Sequence, residues 1–158
     1  MFQRLLEGTG RSLQDLSENM FKDTVELGEV LFCLSTLHLE KKDNWTIAQV
    51  EQAIKGHLRT HEYEKITLQQ SFQEELNLTI NIDINTELGI LCCDTKVLKS
   101  KNMPQILGKI LLLKHLVYQE KLIVIIVGKK RYKTSSNIEL FKTILEEQEA
   151  AFLFLPTN

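Results

Sequence analysis

Two prolines and seven glycines in 158 residues are too few for a flexible linker, so nothing in the composition divides the chain. No stretch of 18 apolar residues occurs, which excludes a typical transmembrane helix. The opening residues, Met1-Phe2-Gln3-Arg4-Leu5-Leu6-Glu7, carry no long apolar run and no small-residue cleavage site, so no secretory signal is expected. An excess of one charge is also missing. Nineteen Lys and Arg stand against 21 Asp and Glu, for a net charge of -2, so any nucleic-acid contact must rest on a local basic patch. The three cysteines, Cys33, Cys92 and Cys93, lack C-x-x-C spacing. That count excludes a disulfide framework and implies reduced thiols and a cytoplasmic location. Three common signatures are absent. No G-x-x-x-x-G-K-[ST] and no G-x-S-x-G occurs, and Gly8-Thr9-Gly10 has neither a preceding strand nor a third glycine. His57 and His61 have a zinc-compatible spacing, but Leu58 stands where H-E-x-x-H has glutamate, so a solvated helix surface is expected there.

What is present reads as one α/β domain over 1–158, with an N-terminal helical extension (1–43) and an α/β core (44–158). Apolar residues 43% and charged residues 25% suit a globular chain with a real core. A long helix is expected from Ser12 to Leu39. Leu13, Leu16, Met20, Asp23, Leu27, Val30, Leu34 and Leu37 recur at alternating three and four, a heptad seam with one polar position. Phe21, Val25, Leu31 and Phe32 give it a second apolar side, which predicts a homodimer through this helix. Thr46 and Gln49 form a capping box that opens a second helix, running to about His61. Ile66 and Leu68 suggest a first strand. Leu78, Ile80, Ile82 and Ile84 alternate with polar residues, as in a strand with one wet face. Thr86 to Gly89 is the expected hairpin connection, and Ile90 to Leu98 the third strand. Pro104 opens a helix that is apolar over much of its circumference. Leu122 to Val127 is a β-branched run suited to a strand buried on both faces. Ser136 and Glu139 match another capping box, and Phe152 to Leu155 reads as the last strand.

Asp83, Asp94 and Lys96 carry the chemistry. Side chains on a strand repeat every second residue, so Asp94 and Lys96 are expected on one face. A hairpin turning near Glu87 would bring Asp83 across from Asp94. Two convergent carboxylates can hold Mg2+ or Mn2+, which polarises a phosphodiester and acidifies a bound water, with Lys96 steadying the developing charge. Lys129-Lys130-Arg131-Tyr132-Lys133 is a basic cluster open to two readings, a solvated loop or a phosphate-backbone contact, and Lys99 and Lys101 can join it.

The order α-β-β-β-α-β, with Asp83 on the second strand and Asp94-Thr95-Lys96 on the third, resembles the PD-(D/E)XK (restriction-endonuclease-like) nuclease superfamily over about Thr46 to Val127. Ile82 stands where the family's name has proline. The resemblance implies a mixed sheet and a metal-dependent nuclease acting on DNA. It further implies accessory roles for Glu51 on the first core helix and Gln105 on the helix after the third strand. The alternative is a nuclease-like protein that no longer cuts and serves as a nucleic-acid or protein interaction module. A two-fold dimer would suit cleavage of both strands of a duplex.

Overall fold

The computed structural model describes residues 27–42, 45–71, 75–83 and 86–157. Its helices among these residues are α1 (27–35), α2 (Ile47–Thr60), α3 (Met103–Leu112) and α4 (Ser136–Glu147). The strands are β1 (Ile66–Ser71), β2 (Glu75–Asp83), β3 (Thr86–Asp94), β4 (Leu122–Gly128) and β5 (Ala151–Pro156). They form a single five-stranded mixed sheet in the order β1-β2-β3-β4-β5. The first three run antiparallel, while β4 and β5 run parallel to β3. None of the described helices is long and apolar enough to cross a membrane.

Strand periodicity divides the core into two layers. Leu76, Leu78, Ile80, Leu88, Ile90, Cys92, Ile123 and Ile125 pack on one face with α1 and α2. Leu91, Cys93, Val124 and Ile126 pack on the other with α3 and α4. Adjacent residues point oppositely on a strand, so Cys92 and Cys93 fall in different layers, as their alternation requires. The β4 run Leu122 to Val127 is buried throughout, because helices cover both faces.

The structure corrects four expectations. First, the N-terminal helix does not reach Leu39; it stops at residue 35, where the Ser35 and Thr36 hydroxyls donate to the Phe32 and Cys33 carbonyls. Its seam residues Val30 and Leu34 are fully buried in the chain's own core, with Leu27 and Leu37 packed against it. Residues 27–35 are therefore part of the domain and not an extension from it. The seam from Leu13 to Asp23 lies outside the described residues.

Second, Asn77 and Thr79 do not face water. Tyr118 lies over them, its hydroxyl 2.8 Å from Thr79 Oγ1 and donating to Asn77 Oδ1 at 3.1 Å. Third, Gly89 is not a turn residue. It pairs with Thr79 inside the hairpin, and the Tyr118 ring rests on it so closely that a Cβ there would lie 2.3 Å from Cε2. Gly89→Ala should therefore cost about 1–3 kcal/mol in a denaturant melt, because the buried ring has nowhere to retreat. Most of that cost should disappear in a Tyr118→Ala background. An equal penalty in both backgrounds would disconnect the glycine from the ring.

Fourth, the third strand ends at Asp94 instead of Leu98. Thr95–Leu98 forms a 3-10 turn, and Asp94 caps it by accepting from the Lys96 amide at 3.0 Å. A smaller shift concerns α4, whose capping residue is Ser135; its hydroxyl accepts from the Ile138 amide at 3.3 Å.

Candidate functional site

Parallel strands β3 and β4 end side by side, with Asp94 paired to Val127. Just beyond them the chain turns away into Thr95–Leu98 and into the 3-10 turn Lys130–Thr134. Between these turns opens a cleft of about 920 Å³. Crevices outside the carboxyl ends of parallel strands are a common ligand position in α/β sheets.

Two helix N-termini border this cleft. Thr46, Ile47 and Val50 line it from α2, and Ser135, Ser136, Asn137 and Ile138 from α4. Both helices are capped by side chains. Thr46 and Gln49 form the expected capping box, while Ser135 holds the Ile138 amide. The helices have 14 and 12 residues, long enough for a developed dipole, so each start carries partial positive charge.

The charged side chains around the cleft are mostly basic. Among the described lining residues, Lys96, Lys99 and Lys129 face one carboxylate, Asp94. Asp94 Oδ1 is held by the Lys96 amide and, at 3.3 Å, by the Thr95 hydroxyl. Gly128 closes the floor, where a Cβ would lie 2.5 Å from Thr95 Cγ2. Trp45 and Tyr132 also line the cleft. The Lys42 ammonium sits 4.1 Å above the Trp45 ring, and the Arg131 guanidinium 4.9 Å from the Tyr132 ring.

Cys92 and Cys93 reach the lining but offer no nucleophile. Burial, and secondarily the charge of Asp94, push the Cys92 thiol up to about 12. Burial also drives Cys93 far above its ordinary value, with Cys92 and Glu75 adding to the effect. Burial thus favours the protonated form of both thiols.

The structure brings together part of the constellation anticipated from sequence. Asp94, Lys96, Lys99 and Lys129 share the cleft. Asp83 does not join them. Its Cα partner is Thr86, at the turn end of the hairpin, whereas Asp94 ends β3 at the opposite end. Eight residues at about 3.3 Å each separate the two backbones by roughly 26 Å. Thr86 and Glu87 already pair with Asp83 and Asn81, so the register is not that of a hairpin turning near Glu87. With their backbones that far apart, Asp83 and Asp94 are not brought together around one Mg2+ or Mn2+ ion. Lys96 and Asp94 also do not share a strand face, since Lys96 lies in the 3-10 turn.

The accessory candidates stand elsewhere. Glu51 pairs with Lys55 at 2.7 Å on α2 and is outside the lining, and Gln105 is exposed on α3. Lys101, Lys130, Arg131 and Lys133 are exposed and also outside it. Glu75, which pairs with Cys93 near the cleft end of the sheet, forms an ion pair with Lys109.

Trp45 and the convergence of the two helix starts are not evident from sequence, whereas Tyr132 stands in the anticipated basic cluster. The capping signals were recognised, but only the parallel pairing of β3 and β4 shows that both helix starts open toward one cleft. Compared with protein-family models, curated proteins and solved structures, the chain matches none.

Proposed function

We propose that the cleft beyond β3 and β4 binds the phosphodiester backbone of a nucleic acid, on a restriction-endonuclease-like scaffold. The observation that carries this reading is the convergence of Lys96, Lys99 and Lys129 with the N-termini of α2 and α4, against a single carboxylate. Lysines and helix starts both favour phosphate, and together they need no global basic charge. Trp45 and Tyr132 offer flat faces on which an unpaired base can stack. The scaffold assignment is supported by the element order α2-β1-β2-β3-α3-β4 and by the mixed sheet. DNA is the polymer that the sequence resemblance implies.

Binding without cleavage is the reading favoured here, because the expected pair of metal-holding carboxylates is split along the hairpin. Retained nuclease activity is the second reading, favoured by the presence of Asp94 and Lys96 in the same cleft.

Asp94→Asn separates the two. If Asp94 only borders a phosphate site, removing its charge should tighten oligonucleotide binding several-fold in EDTA, and the wild-type protein should leave plasmid intact with Mg2+ or Mn2+. Wild-type cleavage that is lost in Asp94→Asn would establish the nuclease instead. Failure to bind either single- or double-stranded oligonucleotides at low salt would defeat both.

A further inference from the structure

A second cluster of chemically capable side chains lies away from the cleft, where α1 meets α2. Cys33 comes from the last turn of α1, and His57 and His61 from successive turns of α2. The helical spacing of four brings the two imidazoles together, with ring centroids 4.7 Å apart and planes tilted by 50°. One donor atom from each residue, a sulfur and two ring nitrogens, lies within 4.8 Å of the others. The thiol is buried, His57 is half-buried and His61 is exposed, so the group opens stepwise to solvent.

Each imidazole is held through one ring nitrogen by a backbone carbonyl. His57 Nε2 lies 2.7 Å from the Cys33 carbonyl, and His61 Nδ1 lies 3.0 Å from the His57 carbonyl. A carbonyl only accepts, so each contacting nitrogen carries the hydrogen. In the neutral ring the other nitrogen then bears the lone pair. Metal-bound histidines are typically fixed this way by a carbonyl on the second nitrogen. Thr36 adds to the His57 anchor, its hydroxyl 3.0 Å from Nε2 while it donates to the Cys33 carbonyl.

We propose that Cys33, His57 and His61 form a binding site for a divalent transition-metal ion of the zinc class, with water as the fourth ligand. One sulfur and two imidazole nitrogens are a borderline-soft donor set, which suits Zn2+ and disfavours Mg2+ and Ca2+. Tetrahedral bond lengths place the donor atoms roughly 3.5 Å apart, so the group must contract by about 1 Å. The exposed His61 ring can supply that movement. The thiol gives up its proton to the solvent as the metal–sulfur bond forms, and no redox step is involved. The bound ion would tie α1 to α2, which hydrophobic contacts and the His57 hydrogen bonds hold together on one face of the sheet.

The test is a Co2+ titration of the full, untagged, reduced chain. The expected result is one equivalent bound with the visible spectrum of tetrahedral cobalt and a near-ultraviolet thiolate-to-cobalt band, both removed by Zn2+. Cys33→Ser should lose the thiolate band and weaken binding at least tenfold. His61→Ala changes only an exposed side chain and keeps the fold; it should weaken binding to a similar extent. An octahedral spectrum without a thiolate band overturns the site. So does a tetrahedral spectrum that survives unchanged in His61→Ala.

Discussion

Replacing Leu34 with glutamate is expected to abolish cooperative folding. Leu34 has no exposed surface and packs with Val30, Ile54, Leu58 and the β2–β3 leucines and isoleucines. Removing it forfeits about 2–3 kcal/mol of apolar burial. Placing an ionisable group in its position, among the buried apolar side chains of that layer, costs several kcal/mol more. A domain of this size has only about 5–15 kcal/mol in total, so the two costs together consume most or all of it. The measurement is urea unfolding followed by circular dichroism, where Leu34→Glu should show no cooperative transition. Phe32→Glu, at a position 71% exposed two residues earlier, should unfold within about 0.5 kcal/mol of wild type. This pair also addresses the expected homodimer. A Leu34→Glu chain that stays folded but changes mass would assign the residue to an intermolecular seam. Loss of folding in that chain assigns it to the core of one chain.

Much of the fold was legible because several segments allow only one element. The Leu122–Val127 run is too short and too β-branched for a helix, and it became β4. The Thr46–Gln49 capping box opened α2 as expected, with both reciprocal hydrogen bonds in place. The heptad in the N-terminal segment is helical over residues 27–35 of the described chain, but periodicity does not say what covers its apolar stripe. From Leu27 onward it is the chain's own sheet.

The candidate site was legible only in part, for two physical reasons. Strand alternation fixes which residues share a face, not where a hairpin turns. Gly89 resembled a turn residue, yet it is the place where Tyr118, 29 positions later, needs a strand without a side chain. In the observed register Asp83 pairs with Thr86, far along the hairpin from Asp94. The second reason is local. Asp94 can cap a turn as readily as it can sit in a strand, and capping ended β3 before Lys96. The cluster of Cys33, His57 and His61 was hidden because it depends on how two helices pack. His57 and His61 were visible as a pair, but Cys33 joins them only because α1 folds back onto α2.

Replacing Lys96, Lys99 and Lys129 together with alanine tests the nucleic-acid reading most directly. Each lysine that neutralises a phosphate releases a counterion, which adds about 0.9 to the slope of log affinity against log salt for duplex DNA. Losing three such contacts should lower that slope by between about two and three, and weaken binding on the order of 10²–10³-fold at 0.1 M salt. Lys96 and Lys99 are exposed and Lys129 half-buried, so the fold should survive with its melting transition close to wild type. A control replacing Lys101, Lys130 and Lys133, exposed and outside the cleft, removes the same formal charge. The measurement is fluorescence anisotropy of a labelled oligonucleotide across a salt series for the wild type and both triple variants. The account predicts that the cleft variant loses most of the affinity and slope, while the control loses little of either. Equal losses in the two variants, or a wild-type slope retained in the cleft variant, would contradict it.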